Sequence, residues 1–453
     1  MKLKLGAKQD LTEGSVVIGL LKFAIPLFLG QLLQQLYNVA DAWVVGNFAN
    51  NEAFAAVSST GSMVFLIIGF FSGMSIGGGV IISRYFGAKD EERVRQAVHS
   101  NMILGIVSSV CATVIGIVIT PFLLRWMDTP ADVMVESTIY LRIYFAGVST
   151  IILYNIGMSI LRSLGDSIHP LYYLGVSSGL NIALDVLFVA GFHWGVRGAA
   201  CATVIAQGVS AFLCIRRLMK LEGPGKLCRE YMHYYPSIMK EVIVQGLPTG
   251  IQNSVISIGN IVVQSNINTF GQYAMSGAGA YSKIEGFVFL PITSMSMSLP
   301  TFIGQNLGAK KYDRAKKGAA FGIISGVVLA ELFGILMHYT IPDMIRFFVK
   351  SEEAIPFGVT QASITSLFFC LLAYSHCAAG VLRGCGKSIV PMVTMLTFWC
   401  GLRIVYVTTA LHFINEFRMI AWAYPLTWSC STIVFTLFLI FSDWTHAFEK
   451  KRA

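Results

Sequence analysis

The chain has 453 residues, of which 55% are hydrophobic and only 13% are charged, and its mean hydropathy is +0.66. Ordinary soluble domains carry about 25% charged residues, so this composition excludes a soluble globular protein and indicates a polytopic membrane protein. The net charge of +9 does not indicate nucleic-acid binding, because no basic soluble domain is present to form such a surface. The nine cysteines are scattered without a CxxC pair, so neither a disulfide framework nor a zinc site is expected.

Apolar runs long enough to cross a bilayer recur along the chain. They predict twelve helices near residues 18–45, 53–82, 97–123, 137–161, 170–192, 198–220, 243–270, 275–304, 318–341, 356–381, 391–412 and 418–442. An even number of spans places both termini on one side. Most Lys and Arg residues fall at the termini and in every second connection, including Lys450, Lys451 and Arg452. The positive-inside rule makes this face cytoplasmic, and the cell membrane is the expected location.

The sequence is internally duplicated. "LRSLGDSIHP" at 161–170 returns as "LRGCGKSIVP" at 382–391, a shift of 221, and the run around Pro26 returns around Pro248 at a shift of 222. Because each repeat holds an even number of spans, both halves enter the membrane in the same orientation. The predicted fold is all-α, with twelve transmembrane helices in two homologous six-helix lobes around a central cleft. The predicted domains are an N-terminal lobe (1–215), a basic cytoplasmic linker (216–240) and a C-terminal lobe (241–453).

Two such lobes are typical of a secondary transporter. A nucleotide-driven pump is not indicated, because no GxxxxGK[ST] loop and no long cytoplasmic segment occur in the sequence. An intramembrane enzyme is not indicated either, because no HExxH motif occurs in the sequence. Transport energy is therefore expected from an ion gradient, with no cofactor beyond the coupling ion.

A polar stripe interrupts the first predicted helix. Residues at three- and four-residue steps share one helical face, and the members of this stripe are Gln31, Gln34, Gln35, Asn38 and Asp41, with Tyr37 at its edge. Lipid does not accept such a face, so it must point into the bundle. Asn181 and Asp185 form a similar pair one turn apart in the fifth helix. If the two faces meet, the carboxylates either share a proton or hold a cation.

Several motifs resemble those of the MATE (multidrug and toxic compound extrusion) transporters. They are "IPLFLGQLLQQLYNVADAWVVG", "RYFGAKD", "LRSLGDSIHP", "GVRGAACATVIAQG", "GLPTGIQN" and "LPTFIGQNLGAKK". The resemblance covers roughly residues 15 to 440. It implies an antiporter that exports organic cations in exchange for H+ or Na+.

The resemblance also implies roles for individual residues. The positions that match the ion site of one MATE branch, where Na+ could bind, are Asp41, Asn181, Asp185 and Thr203. Gln34, Tyr37 and Asn155 match positions lining the cavity of the same lobe. Another branch carries an acidic residue shortly after the proline of helix 7, but no acid follows Pro248 here, so the second-lobe sodium site of that branch is doubtful.

Several alternatives stay open from the sequence. Pro26 should bend or weaken the first helix. Glu285 either lines the substrate cavity or completes an ion pair, and Lys283, Glu331 and Arg403 have no assigned role. The runner-up function is a flippase for lipid-linked saccharides, and a third interpretation is a membrane scaffold that transports nothing. The expected partners are cationic amphipathic small molecules and the lipid bilayer, with the protein as a monomer.

Overall fold

The computed structural model describes residues 9–48, 51–126, 131–349 and 351–449. The α-helices are Val16–Phe48 (α1), Asn51–Gly87 (α2), Glu91–Trp126 (α3), Ala131–Ala146 (α4), Val148–Ser163 (α5), Ile168–Asp185 (α6), Gly195–Lys220 (α7), Pro236–Asn268 (α8), Gln272–Gly308 (α9), Tyr312–Phe348 (α10), Ile355–Thr365 (α11), Phe369–Gly384 (α12), Ile389–Met395 (α13), Arg403–Phe413 (α14) and Phe417–Phe441 (α15). Two π-helical turns, Val186–Gly191 and Leu396–Leu402, continue α6 and join α13 to α14. The basic residues Lys450, Lys451 and Arg452 lie outside the described residues.

Where a bend or a short irregular turn interrupts a membrane-length helix, the pieces are counted together as one rod. The described elements then form twelve rods, which confirms the predicted fold class. Ten rods in the described part of the chain are long and apolar enough to cross a membrane, and α4 with α5, bent by 45°, makes an eleventh. The twelfth is α8, whose 33 residues include Gln245, Gln252, Asn253 and Asn260. These amides make α8 less apolar than the other rods.

Several helices are longer than the sequence predicts. The helices α2, α9 and α10 each have 37 residues, whereas about 20 residues cross the hydrocarbon core. A hydropathy window detects only the part of a helix inside lipid, so it misses polar turns such as Glu91–Val98 at the start of α3. The polar ends therefore extend beyond the membrane core.

The chain divides into two compact units. The first comprises Leu29–Gly250 with the residues before Leu11, and the second comprises Leu11–Phe28 with Ile251–Ala453. Both divisions fall inside a helix, two residues after Pro26 in α1 and two residues after Pro248 in α8. The predicted lobes 1–215 and 241–453 stay a prediction, and the compact units differ from them in where the first parts of α1 and α8 belong.

Each unit has its own apolar core. Ile82, Val98 and Phe145 are fully buried in the first unit, and Phe302 and Phe369 are fully buried in the second. Within the bilayer such cores gain their stability from close van der Waals packing, because lipid tails are as apolar as the buried side chains.

Small residues bring α2 and α8 into close contact within the first unit. A Cβ atom added at Gly77 would lie 2.2 Å from Cα of Gly246, and one at Gly73 would lie 2.6 Å from N of Gly250. The spacing of Gly69, Gly73 and Gly77 predicts such packing, and the structure confirms it at Gly73 and Gly77. Only glycine allows the two backbones to approach this closely.

Candidate functional site

The two aspartates singled out in the sequence come together in the first unit. The carboxyl groups of Asp41 in α1 and Asp185 in α6 lie within hydrogen-bonding reach of each other. Oδ1 of Asp41 and both carboxyl oxygens of Asp185 receive no hydrogen bond from any described residue. Asp185 is buried and Asp41 is half-buried. Like charges repel strongly at low dielectric, so two carboxylates this close need a proton or a cation between them.

Asp185 occupies an unusual place in the backbone. It is the last residue of α6, it is fully buried, and the π-helical turn Val186–Gly191 follows directly. Such π-helical turns are rare and occur frequently at functional sites, because the extra residue re-aims the neighbouring side chains. Nothing in the sequence around Asp185 signals this turn.

Asn181 adds an amide to the same place. It lies one turn before Asp185 and is 2% exposed, and neither its Nδ2 nor its Oδ1 has a hydrogen-bond partner among the described residues. A buried polar group left unpaired costs about 1–3 kcal/mol. Residues that only hold helices together would be paired with each other. The unpaired atoms of Asp41, Asn181 and Asp185 therefore favour a site with an exchangeable occupant.

Tyrosines and an amide surround the aspartates. The Tyr37 hydroxyl is within hydrogen-bonding reach of Gln34 and Gln207 and interacts electrostatically with both aspartates. Tyr140 in α4 is buried and also interacts with Tyr37, Asp41 and Asp185. The sequence analysis missed Tyr140 and Gln207. The available signal was weak, because one Tyr in an apolar helix is more often packing than part of a site.

Thr203 lies near the level of Asp41. The side chains of Val45 and Ala199 belong to one small buried cluster, and Gln207 reaches Tyr37. Along α1, Asp41 is one turn from both Val45 and Tyr37, and along α7, Thr203 is one turn from both Ala199 and Gln207. Helical spacing therefore places half-buried Thr203 opposite Asp41.

Other predicted residues are placed less closely. Nδ2 of Asn155 donates to the carbonyl of Ile151 in its own helix at 2.8 Å, which leaves its Oδ1 available to a ligand. Pro26 lies in the part of α1 that belongs to the second unit, and the helix continues through it. Because proline has no N–H, one helical hydrogen bond is missing there. Its bending role stays a prediction.

The positions in the second repeat that match the aspartates carry no carboxylate. A shift of 221 or 222 residues carries Asp41 to Val262 or Val263 and Asp185 to Tyr406 or Val407. Val263 and Val407 are each 1% exposed and belong to one buried hydrophobic cluster of the second unit, against which Tyr406 packs. The duplicated scaffold thus brings the matching positions together twice, and only the first copy has carboxylates there.

Glu285, Glu331 and Lys283 lie in the second unit. Glu285 accepts a hydrogen bond from the Tyr281 hydroxyl at 2.8 Å. Oε2 of Glu331 accepts a hydrogen bond from the Cys370 backbone N–H at 3.0 Å, at the start of α12, so Glu331 caps a helix end. Lys283 is exposed.

The donor set at the aspartates suits a hard monovalent cation or a proton. No group of three or more His, Cys, Asp or Glu side chains able to hold a metal ion occurs in the ranges that the structure describes. The groups near Asp41 are instead carboxylate, amide and hydroxyl, which are oxygen ligands typical of hard cations. These residues therefore fit either H+ or Na+.

Comparison with known proteins identifies the family. A family model described as MatE matches residues 26–187 and 248–409. The chain belongs to the MATE family. The two matched segments begin 222 residues apart, which agrees with the repeat seen in the sequence. The MATE family is a family of transporters, and the chain is accordingly a multi-pass membrane protein.

Relatives of this MATE protein are similar over most of their length. The probable multidrug resistance protein YoeA of Bacillus subtilis is 27% identical over 452 residues, covering 98% of this chain and 96% of that protein. The probable multidrug resistance protein NorM of Thermotoga maritima is 26% identical over 390 residues, covering 84% of this chain and 82% of that protein. A solved structure of a MOP superfamily transporter from Pyrococcus furiosus has a TM-score of 0.91 at 21% identity, covering 98% of this chain and 99% of that chain. This last similarity concerns the fold alone.

Proposed function

We propose that this MATE protein is a secondary active multidrug efflux antiporter that exports organic cations in exchange for H+ or Na+. The names of the relatives, multidrug resistance proteins, support the transport class. One observation supports the coupling site above all. The carboxyl groups of Asp41 and Asp185 lie within reach of each other, and no described residue donates a hydrogen bond to Asp185.

The coupling mechanism follows from charge. With the pair empty, two carboxylates face each other in a poorly solvated space, and the first unit gains from binding any cation there. One H+ or Na+ removes part of this charge and lowers the cost of closing the surrounding helices. Substrate and ion then compete in one of two ways. They bind the same residues, or they favour different conformations of the unit. Such reciprocal coupling is what antiport requires.

The substrate class follows from the residues beside the pair. Gln34 and Tyr37 offer an amide and a phenol, while Asp41 and Asp185 offer negative charge. Asn155 is proposed to line the same cavity. Such a lining stabilises a desolvated cation and disfavours an anion. The protein is proposed to work as a monomer in the cytoplasmic membrane, with no enzymatic activity and no cofactor.

Transport by purified protein tests the function. Proteoliposomes with an imposed pH or Na+ gradient should move ethidium and should not move an anionic pyrophosphate lipid. Separate H+ and Na+ gradients identify the coupling ion. Transport of the pyrophosphate lipid in preference to ethidium would replace the exporter with the flippase.

Labelling tests the orientation. Tags at both termini and in residues 216–240 are expected to be cytoplasmic, whereas cysteines placed at Gly195 and Asn415 should react with impermeant reagents from outside. External labelling of residues 216–240 would contradict the topology.

A further inference from the structure

The second unit holds a half-buried carboxylate and a buried guanidinium that do not touch. Glu285 lies in α9, and Arg403 is the first residue of α14, directly after the π-helical turn Leu396–Leu402. The two interact electrostatically. The described residues form several ion pairs with an N–O distance of 4.0 Å or less, and none of these pairs joins Glu285 to Arg403.

Neutral groups hold Glu285 in place. The Tyr281 hydroxyl donates to Oε1 of Glu285 at 2.8 Å and lies 2.7 Å from Oγ1 of Thr365. Tyr281 is 1% exposed, whereas Glu285 is half-buried. The hydrogen bond from Tyr281 therefore fixes the Glu285 carboxylate from the interior of the unit. Among the described residues no cation forms an ion pair with this carboxylate.

Neutral groups also hold Arg403. Nη2 donates to Oγ1 of Thr427 at 3.1 Å, and Nη1 donates to Oδ1 of Asn260 at 3.3 Å. The guanidinium carbon lies 4.5 Å from the ring centroid of Tyr424 and 5.8 Å from that of Trp399. Arg403 is only 2% exposed, and its Nε has no hydrogen-bond partner among the described residues. Its charge is thus fixed by oxygens and aromatic faces rather than by a carboxylate.

An aromatic ring and an exposed amide adjoin the two charges. Half-buried Tyr424 interacts electrostatically with both Glu285 and Arg403, and its ring centroid lies 4.5 Å from the Arg403 guanidinium carbon. Asn260 is exposed, and its Oδ1 accepts the 3.3 Å hydrogen bond from Arg403. A ligand carboxylate approaching beside Asn260 could replace this bond.

We propose that Glu285 and Arg403 form a binding site for zwitterionic amphipathic molecules, with the ligand ammonium at Glu285, its carboxylate at Arg403 and its ring system against Tyr424. This inference rests on the proposed function and extends the substrate class beyond simple cations.

Electrostatics favour a zwitterion over either single charge. A cation bound at Glu285 is repelled by Arg403, and an anion bound at Arg403 is repelled by Glu285. A molecule with both charges satisfies each group and leaves the site neutral, so neither protein charge stays buried without a partner. The same arrangement would not arise from a structural ion pair, in which Glu285 and Arg403 would be in contact.

Two dyes with one skeleton test the site. Rhodamine 110 has a free carboxylate beside its cationic ring system, whereas rhodamine 123 is the methyl ester and is purely cationic. Fluorescence anisotropy with detergent-purified full-length protein gives an affinity for each dye. Arg403→Gln should weaken rhodamine 110 binding about 10-fold or more, the loss typical of one charge-assisted hydrogen bond. Binding of rhodamine 123 should stay unchanged or tighten.

Asn260→Asp provides an independent variant at an exposed position. The new carboxylate would occupy the place of the ligand carboxylate beside Arg403, so rhodamine 110 should bind about 10-fold more weakly or worse and rhodamine 123 at least as well as before. The control is Arg418→Gln, which removes an exposed arginine paired with Glu416 and should change neither affinity.

The outcomes separate the inference from the proposed function. Equal weakening of both dyes in Asn260→Asp, or unchanged rhodamine 110 binding in that variant, would overturn the zwitterion site. Failure of the wild-type protein to move ethidium in liposomes would instead overturn the exporter. Retained rhodamine 123 binding in each variant shows that the variant has folded.

Discussion

The carboxyl groups of Asp41, within α1, and Asp185, at the end of α6, lie within hydrogen-bonding reach of each other. Their counterparts in the second repeat, Val263 and Val407, belong to one apolar cluster. The same helix positions therefore meet in both units, and only the first unit has carboxylates there. This asymmetry is the structural basis for assigning ion coupling to one half of a duplicated protein.

Tyr37 is expected to tune ligand affinity without carrying the coupling. Tyr37→Phe removes the hydroxyl within reach of Gln34 and Gln207, and losing one net hydrogen bond of about 1 kcal/mol corresponds to a roughly 5-fold weaker affinity. Ethidium titration of the purified variant measures this change, with Tyr172→Phe, at an exposed tyrosine, as the control. Loss of gradient-driven transport in Tyr37→Phe would move this residue into the coupling step.

Much of the fold follows from the sequence, and the reasons are physical. Lipid requires long apolar helices, and the repeat of "LRSLGDSIHP" fixes the two-fold organisation. The polar face of α1 predicts that Asp41 meets another polar group, since lipid does not accept it. The π-helical turn after Asp185 was not predictable, because it arises from tertiary packing and has no sequence signal. Arg403 was left unassigned because its neighbours Asn260 and Thr427 lie far away in sequence and become adjacent only in the folded unit.

The contact of α2 with α8 should be intolerant of any side chain. Gly77→Ala places a Cβ 2.2 Å from the backbone of Gly246, so the helices must separate, at a cost of about 1–3 kcal/mol or more. Thermal unfolding followed by fluorescence-detected size exclusion should show a lower midpoint than wild type. Gly279→Ala, where no atom lies within 4 Å of the added Cβ, should behave as wild type. Equal midpoints for the two variants would contradict this packing.

Glu331 is expected to stabilise the start of α12. Glu331→Ala leaves the Cys370 N–H without its acceptor, which should cost about 1.5–3 kcal/mol for a hydrogen bond to a charged group. Glu331→Gln keeps an acceptor oxygen at the same place and should retain most of the stability. The midpoint of thermal aggregation ranks the variants. A Gln variant as unstable as the Ala variant would show that the charge, rather than the hydrogen bond, matters.

Arg314 should hold the segment before α1 on the second unit. Its guanidinium donates to the carbonyls of Leu11, Glu13 and Gly14 at 2.6–3.2 Å. The single amide group of Gln in Arg314→Gln cannot donate to all three carbonyls. Proteinase K should therefore release an N-terminal tag faster from this variant than from the wild-type protein. Arg346→Gln, at an exposed arginine of α10, is the matched control. Identical release rates in all three proteins would exclude the anchoring role.

Gradient-driven efflux by the double variant Asp41→Asn, Asp185→Asn tests the central claim most directly. Both changes keep the side-chain shape and remove the charge, so the protein should fold, bind ethidium with reduced affinity and lose all dependence of transport on the pH or Na+ gradient. Glu285→Gln in the same proteoliposome assay serves as the comparison and should alter dye affinity while gradient dependence persists. Full gradient dependence in the double variant would contradict the assignment of coupling to the aspartate pair, and loss of gradient dependence in Glu285→Gln alone would place coupling in the second unit.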